Sequence, residues 1–272
     1  MVRAALPAIL LVTVGAAAAP SASTGAFVLH AFGETVGTAF PGHALAWAFT
    51  ASHAGKQPLF HSERGLPVAE ALTRLAGENH TRIAVQPLHL VDGIEHAALR
   101  RAIETWRQTN AGITVSVGAP LLTDEASMLA ALDAMRLAGP PFPGEVPDPE
   151  EAVIWVGHGS EPPHDAAYRQ LAVLAAGQTP RQYVGCLTGC CRAGETIPAL
   201  AAAGWKKACL MPLFTLAGRH AASDLGGDGP DSWKSRLSQA GIRSRVLMRG
   251  MLEHEAFAAM WTGRLREALQ NL

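Results

Sequence analysis

Short apolar runs alternate with stretches of helical periodicity along most of this chain, and few folds accept that alternation. Strands are expected at Ala26–Phe32, Ala44–Thr50, Arg82–Leu88, Ile113–Gly118, Ala152–Gly157, Tyr183–Leu187, Lys207–Leu213 and Ser244–Met248. Helices are expected at Ile94–Thr109, Glu125–Ala138, Asp165–Ala176, Ala193–Ala203, Trp233–Ala240 and Glu253–Gln270. A strand that hands over to a helix and then to another strand forms a βαβ unit, which calls for a parallel sheet with helices on its faces. The last helix carries Phe257, Met260, Trp261, Leu265 and Leu269 at helical spacing, a stripe that belongs against a core.

Residues Gly139 to Glu150 read Gly-Pro-Pro-Phe-Pro-Gly-Glu-Val-Pro-Asp-Pro-Glu. Proline lacks the N–H that a helix or an interior strand needs, so this segment reads as a stiff linker over 139–151. It separates an N-terminal lobe (24–138) from a C-terminal lobe (152–272), each with about four strands. The expected architecture is α/β: two lobes, each a mostly parallel four-stranded sheet flanked by helices, with a cleft between them. The 272 residues suit two domains of ordinary size. No short-period repeat is visible, but the halves could be distant structural copies.

The N-terminus has the grammar of an export signal. Arg3 supplies a positive start, Ala4–Val14 an apolar stretch, and Ala16–Ala19 small residues for cleavage. Residues 1–20 are therefore expected to be a signal peptide outside the fold, with the mature protein periplasmic or otherwise exported. No later segment is apolar for long enough to span a bilayer, so the mature chain is not expected to insert stably in a membrane. In an oxidising compartment Cys186 and Cys209, on neighbouring expected strands, could bridge, whereas adjacent Cys190 and Cys191 pair with one another poorly. Lys plus Arg total 22 against 23 Asp plus Glu, and no basic stripe is interleaved with aromatics. That balance argues against nucleic-acid binding. Ser160 is not centred between glycines as a nucleophile elbow requires, which argues against a hydrolase.

Two histidines stand out. His158 follows Ala152-Val153-Ile154-Trp155-Val156-Gly157, and His220 follows Met211-Pro212-Leu213 through a short loop. Open parallel sheets bind ligands beyond the carboxyl ends of their strands, where both imidazoles would be delivered. His89 ends the Arg82–Leu88 run by the same logic in the other lobe.

Several words now accumulate in order. They include Phe32-Gly33, Ala48-Phe49-Thr50-Ala51-Ser52, Gln86-Pro87-Leu88-His89-Leu90-Val91-Asp92-Gly93-Ile94-Glu95, Gly118-Ala119-Pro120-Leu121-Leu122 and Gly157-His158-Gly159. Leu210-Met211-Pro212-Leu213, Ala217-Gly218, His220 and Asp228–Trp233 complete them. With these residues the chain resembles the anaerobic cobalt chelatases of the sirohydrochlorin cobaltochelatase type, ferrochelatase-like class II chelatases. The resemblance implies two α/β lobes and a lyase that inserts a divalent metal into a tetrapyrrole. Co²⁺ is the leading ion, with Ni²⁺, Fe²⁺ and Zn²⁺ as alternatives; no organic cofactor is implied. It also implies His158 and His220 as metal ligands and proton acceptors. The family's third ligand, a glutamate, falls here on Thr188, which puts ordinary activity in doubt, and Glu195 is no obvious substitute.

Histidine suits the chemistry, since a neutral imidazole binds these ions and titrates near neutrality. Arg219 and Arg192 are expected to pair with the substrate's carboxylates, and His89 to contact the tetrapyrrole. Cys190 and Cys191 are candidates for a softer metal ligand or a redox role. Between Phe32 and Leu45 the connection is short, so the first lobe is expected to lack the family's opening helix. A non-catalytic periplasmic metal- or tetrapyrrole-binding protein derived from a chelatase is the alternative. Homo-oligomerisation is left open.

Overall fold

A computed structural model describes residues 6–13, 22–50, 58–60, 63–64, 66–142, 144–146, 148–218 and 221–272. The chain divides into two compact units. One comprises the N-terminal segment and Ser21–Thr123 together with Ala258–Leu272; the other comprises Asp124–Phe257. The division falls at Thr123/Asp124, ahead of the expected proline-rich boundary at 139–151, and the last helix contributes to the first unit.

In the first unit the sheet order is β5-β2-β1-β6-β7. The strands are β1 (Ala8–Thr13), β2 (Leu45–Phe49), β5 (Leu66–Pro67), β6 (Arg82–Pro87) and β7 (Thr114–Val117), while β3 (Pro58–Phe60) and β4 (Glu63–Arg64) form a separate hairpin. Strand β1 lies in the middle of the sheet, parallel to β2 on one side and β6 on the other. Residues Ala8–Val12 are at most 1% exposed. A central parallel strand is covered on both faces, so it reads as one continuous apolar run. The segment expected to be a cleaved leader is thus the middle strand, and cleavage after Ala16–Ala19 would remove it from the sheet.

A second correction follows. The expected strand Ala26–Phe32 lies inside helix α1 (Ala22–Ala39), the crossover between β1 and β2. Its buried residues Val28, Leu29, Phe32 and Val36 recur at three- and four-residue steps, a helical stripe. The opening helix expected to be missing is therefore present. Helix α2 (Val68–Gly77), also not anticipated, buries Val68, Ala71, Leu72 and Leu75 on one face. Helix α3 (Ile94–Gln108) buries His96, Leu99, Ile103 and Trp106. Leu10, Val12, Leu72, Ile83, Val85 and Ile103 share one core cluster.

The second unit opens with α4 (Glu125–Ala138), whose Asp124 cap accepts the Ser127 amide at 2.8 Å. Its sheet runs β11-β10-β8-β9, all parallel. The strands are β8 (Glu151–Gly157), β9 (Gln182–Cys186), β10 (Lys207–Leu213) and β11 (Arg243–Val246). Helices α5 (Ala166–Gln178), α6 (Ala193–Ala202) and α7 (Trp233–Gln239) alternate with them, and a single π turn spans Ala221–Leu225. Ile154, Val156, Leu200, Leu210, Trp233 and Leu237 form one core cluster. Against Trp155 stands Phe257 of α8 (Glu255–Gln270), ring centres 5.8 Å apart.

At the amino end of this sheet Glu151 accepts Arg245 Nε and Nη2 at 2.7 and 2.9 Å, while Arg245 Nη1 reaches Glu145 at 2.9 Å. Charged groups thereby hold the proline-rich segment to the sheet's edge. Lys207 is paired with Asp148 at 2.8 Å.

The two sheets have one topology. Order β2-β1-β6-β7 in the first unit matches β9-β8-β10-β11 in the second, with β1 and β8 as the first and central strands. The halves are structural copies at the level of strand order, and β1 is required to complete the first copy. No helix among the described residues is long and apolar enough to cross a membrane.

Candidate metal site and neighbouring loops

Strand β8 ends at Gly157, so His158 is the first residue beyond its carboxyl end, and it is exposed. The loop is pinned to the segment after β9. The His158 carbonyl accepts both the Thr188 amide and the Thr188 hydroxyl at 3.0 Å. Gly159, at φ +77°, and Gly189, at φ +72°, interlock the two loops. A Cβ on Gly159 would run into the Thr188 carbonyl, and one on Gly189 into the Ser160 carbonyl. Where the resemblance places a glutamate, this chain has a threonine whose hydroxyl is committed to the His158 backbone.

Arg219 and His220 lie outside the described residues. The preceding strand β10 and its loop through Gly218 are described, and β10 pairs with β8 in register from Lys207↔Glu151 to Leu213↔Gly157. Both histidine-bearing segments therefore leave adjacent strands of one sheet at its carboxyl edge. Among the described residues no group of three His, Cys, Asp or Glu side chains is placed to hold a metal ion.

At the carboxyl end of β9 and in the loop after it the three thiols cluster. Cys186 N donates to the Cys191 carbonyl at 3.0 Å, the Cys190 thiol contacts both neighbouring thiols, and it donates to the Asp165 carbonyl at 3.5 Å. All four cysteines are free, so the Cys186–Cys209 bridge left open above is not formed. Burial pushes the Cys191 thiol up to about 12, a hydrogen bond with Cys190 adding to it, and burial pushes Cys209 up to about 12 as well. Cys191 and Cys209 are therefore held protonated at neutral pH, which opposes metal ligation by Cys191 unless the ion itself displaces the proton. Glu195 does not replace the missing carboxylate; its Oε2 accepts the Cys191 amide at 3.2 Å.

A cavity of about 890 Å³ adjoins this cluster, lined in part by Cys186, Thr188, Arg192, Trp233 and Arg236. Arg192 is exposed at the start of α6, in position to meet an anion entering the cavity. Trp233 borders it but is 2% exposed and packs in the core. Ser232 caps α7, accepting the Ser235 amide at 3.1 Å, as a turn and helix cap at Asp228–Trp233 would require.

In the first unit His89 follows β6 but is 5% exposed, and neither ring nitrogen has a hydrogen-bond partner. Beside it stands His96 of α3, 4% exposed, ring centres 5.8 Å apart and planes at 85°. Burial, then the charge of His96, lowers His89 to about 4, and burial lowers His96 as well. The sequence reading missed His96, because nothing in Gly93-Ile94-Glu95-His96 announces that its ring is buried; only the recurrence at Leu99, Ile103 and Trp106 gives its face away.

Two α/β units with parallel sheets and loops gathered at strand carboxyl ends make a chelatase-like fold. SirB from Bacillus subtilis, solved with Fe³⁺, superposes with a TM-score of 0.65 over 98% of this chain and 96% of that one, at 18% identity. The chain belongs to the cobalt chelatase (CbiK) family, whose sequence profile matches residues 7–270. It is 35% identical over 251 residues to the sirohydrochlorin cobaltochelatase CbiKC of Nitratidesulfovibrio vulgaris, covering 91% of this chain and 86% of that protein. To the sirohydrochlorin cobaltochelatase of Salmonella typhimurium it is 30% identical, covering 74% and 73%.

Proposed function

We propose that this protein inserts Co²⁺, or a related divalent ion, into sirohydrochlorin or a close tetrapyrrole relative. Kinship with two sirohydrochlorin cobaltochelatases over most of the chain carries the reading. His158 and His220 act as ligands and as acceptors of the two pyrrole protons, on segments that leave adjacent strands. A site with two imidazoles leaves coordination positions open for the macrocycle's nitrogens, which insertion needs. Without the glutamate the ion keeps more of its positive charge, which weakens its hold and favours release. Arg192 and Arg219 pair with the substrate's carboxylates.

The test is metallation of sirohydrochlorin followed by absorbance, run in parallel with Co²⁺, Ni²⁺, Fe²⁺ and Zn²⁺. Turnover that is lost in a His158→Ala/His220→Ala variant is the expected result; unchanged turnover rejects these ligands. The Thr188 hydroxyl's bond to the His158 carbonyl favours one other reading, a non-catalytic carrier, since no carboxylate fills that place. Tight stoichiometric binding without turnover would select it. The expectation of export rested on the run that forms β1, and it is left without that support.

A further inference from the structure

The buried histidine pair of the first unit is not used by the chemistry proposed above. Three of its four ring nitrogens, both of His89 and Nδ1 of His96, are buried without a hydrogen-bond partner. Such groups are rare in native proteins, and each costs free energy unless a ligand or ordered water meets it. Their position has a counterpart. Strand β6 holds the place in the first sheet that β10 holds in the second. The segments leaving them share Pro, Leu and Gly at one spacing: Pro87-Leu88 with Gly93, and Pro212-Leu213 with Gly218. His220 comes two residues after Gly218, and His96 three residues after Gly93.

We infer that His89 and His96 form a second site for a first-row divalent cation, separate from the one assigned to His158 and His220. Two imidazoles on one ion, with metal–nitrogen bonds of roughly 2.0–2.1 Å, place their ring centres roughly 5–6 Å apart. The observed 5.8 Å matches that span, and perpendicular planes let both rings approach without stacking. Neutral imidazole is the form a metal takes, and burial keeps both rings unprotonated. Asp92, whose charge acts on His96, offsets part of the ion's charge, while Arg100 opposes it.

The experiment counts bound metal in the full chain, titrating Co²⁺ anaerobically and Zn²⁺ against a chromophoric chelator. Two equivalents are expected in the wild type and one in His158→Ala/His220→Ala. That remaining equivalent should be present at neutral pH and vanish when His89→Leu and His96→Leu are added. Ring nitrogen NMR of the His158→Ala/His220→Ala protein provides a check without touching the pair: Zn²⁺ should shift two imidazoles together. No bound metal in that variant, or shifts at neither ring, overturns the inference while leaving the proposed chelatase ligands standing. One equivalent lost only with His89 and His96 would uphold this site and reject the assignment of His158 and His220.

Discussion

His89 gives up hydration at both ring nitrogens and receives no hydrogen bond in return. Its folded pKa near 4 lies below the ordinary 6.5, so between those values the unfolded chain binds the extra proton. Stability contributed by the neutral ring is complete above about pH 6.5 and is lost as pH falls toward 4, by about 3 kcal/mol at 1.36 kcal/mol per unit. His254, lowered to about 4 by burial and then by Arg249, acts in the same direction. A His89→Leu variant removes both the titration and the unsatisfied nitrogens. It should be at least as stable as the wild type at pH 7, by up to about 2 kcal/mol, and its acid limb should be flatter. Urea unfolding at several pH values measures this, and a His89→Leu protein less stable at pH 7 would show the ring to be a packing residue.

At the level of elements, the interlocked loops after β8 and β9 hold His158 in place. Gly159→Ala forces a side chain into φ +77° and against the Thr188 carbonyl. It should destabilise the protein by about 2–4 kcal/mol and slow metallation even where the fold survives, as denaturant midpoints and initial rates would show. How legible these elements are in the sequence depends on their surroundings. Strands β8 and β10 are bounded by glycine, proline and charge, and α4 by its Asp124 cap, so local chemistry marks their limits. Strand β1 has no such frame. An apolar run followed by Ala16–Ala19 has the composition of both a leader and a doubly covered parallel strand. Only the stripe Val28, Leu29, Phe32 and Val36 downstream, a crossover helix in need of a strand before it, separates the two. The strand-end histidine His158 could be read because its position follows from topology, whereas the burial of His96 shows only in the helical stripe it shares with Leu99, Ile103 and Trp106.

Across the whole molecule, the shared strand order ties the identity of α1 to that of β1. Without β1 before it, α1 has no strand to cross over from, so from sequence alone the first half reads as short of a helix and α1 reads as a strand. A chain beginning at Ser21 lacks the middle of that sheet and leaves β2 and β6 without a common partner. Such a truncation should be insoluble or unfolded, whereas the full chain should give a cooperative melt by circular dichroism. A soluble, cooperatively folded truncation would show that β1 is dispensable.

The first unit also claims Ala258–Leu272, with Arg264 reaching Thr123 at 2.9 Å and Arg82 reaching the Leu272 carbonyl at 3.0 Å. A ribosome delivers those residues only after Phe257. During synthesis the second unit, continuous from Asp124 to Phe257, emerges whole while the first still waits for its closing helix, so the half translated earlier is the one that finishes folding later.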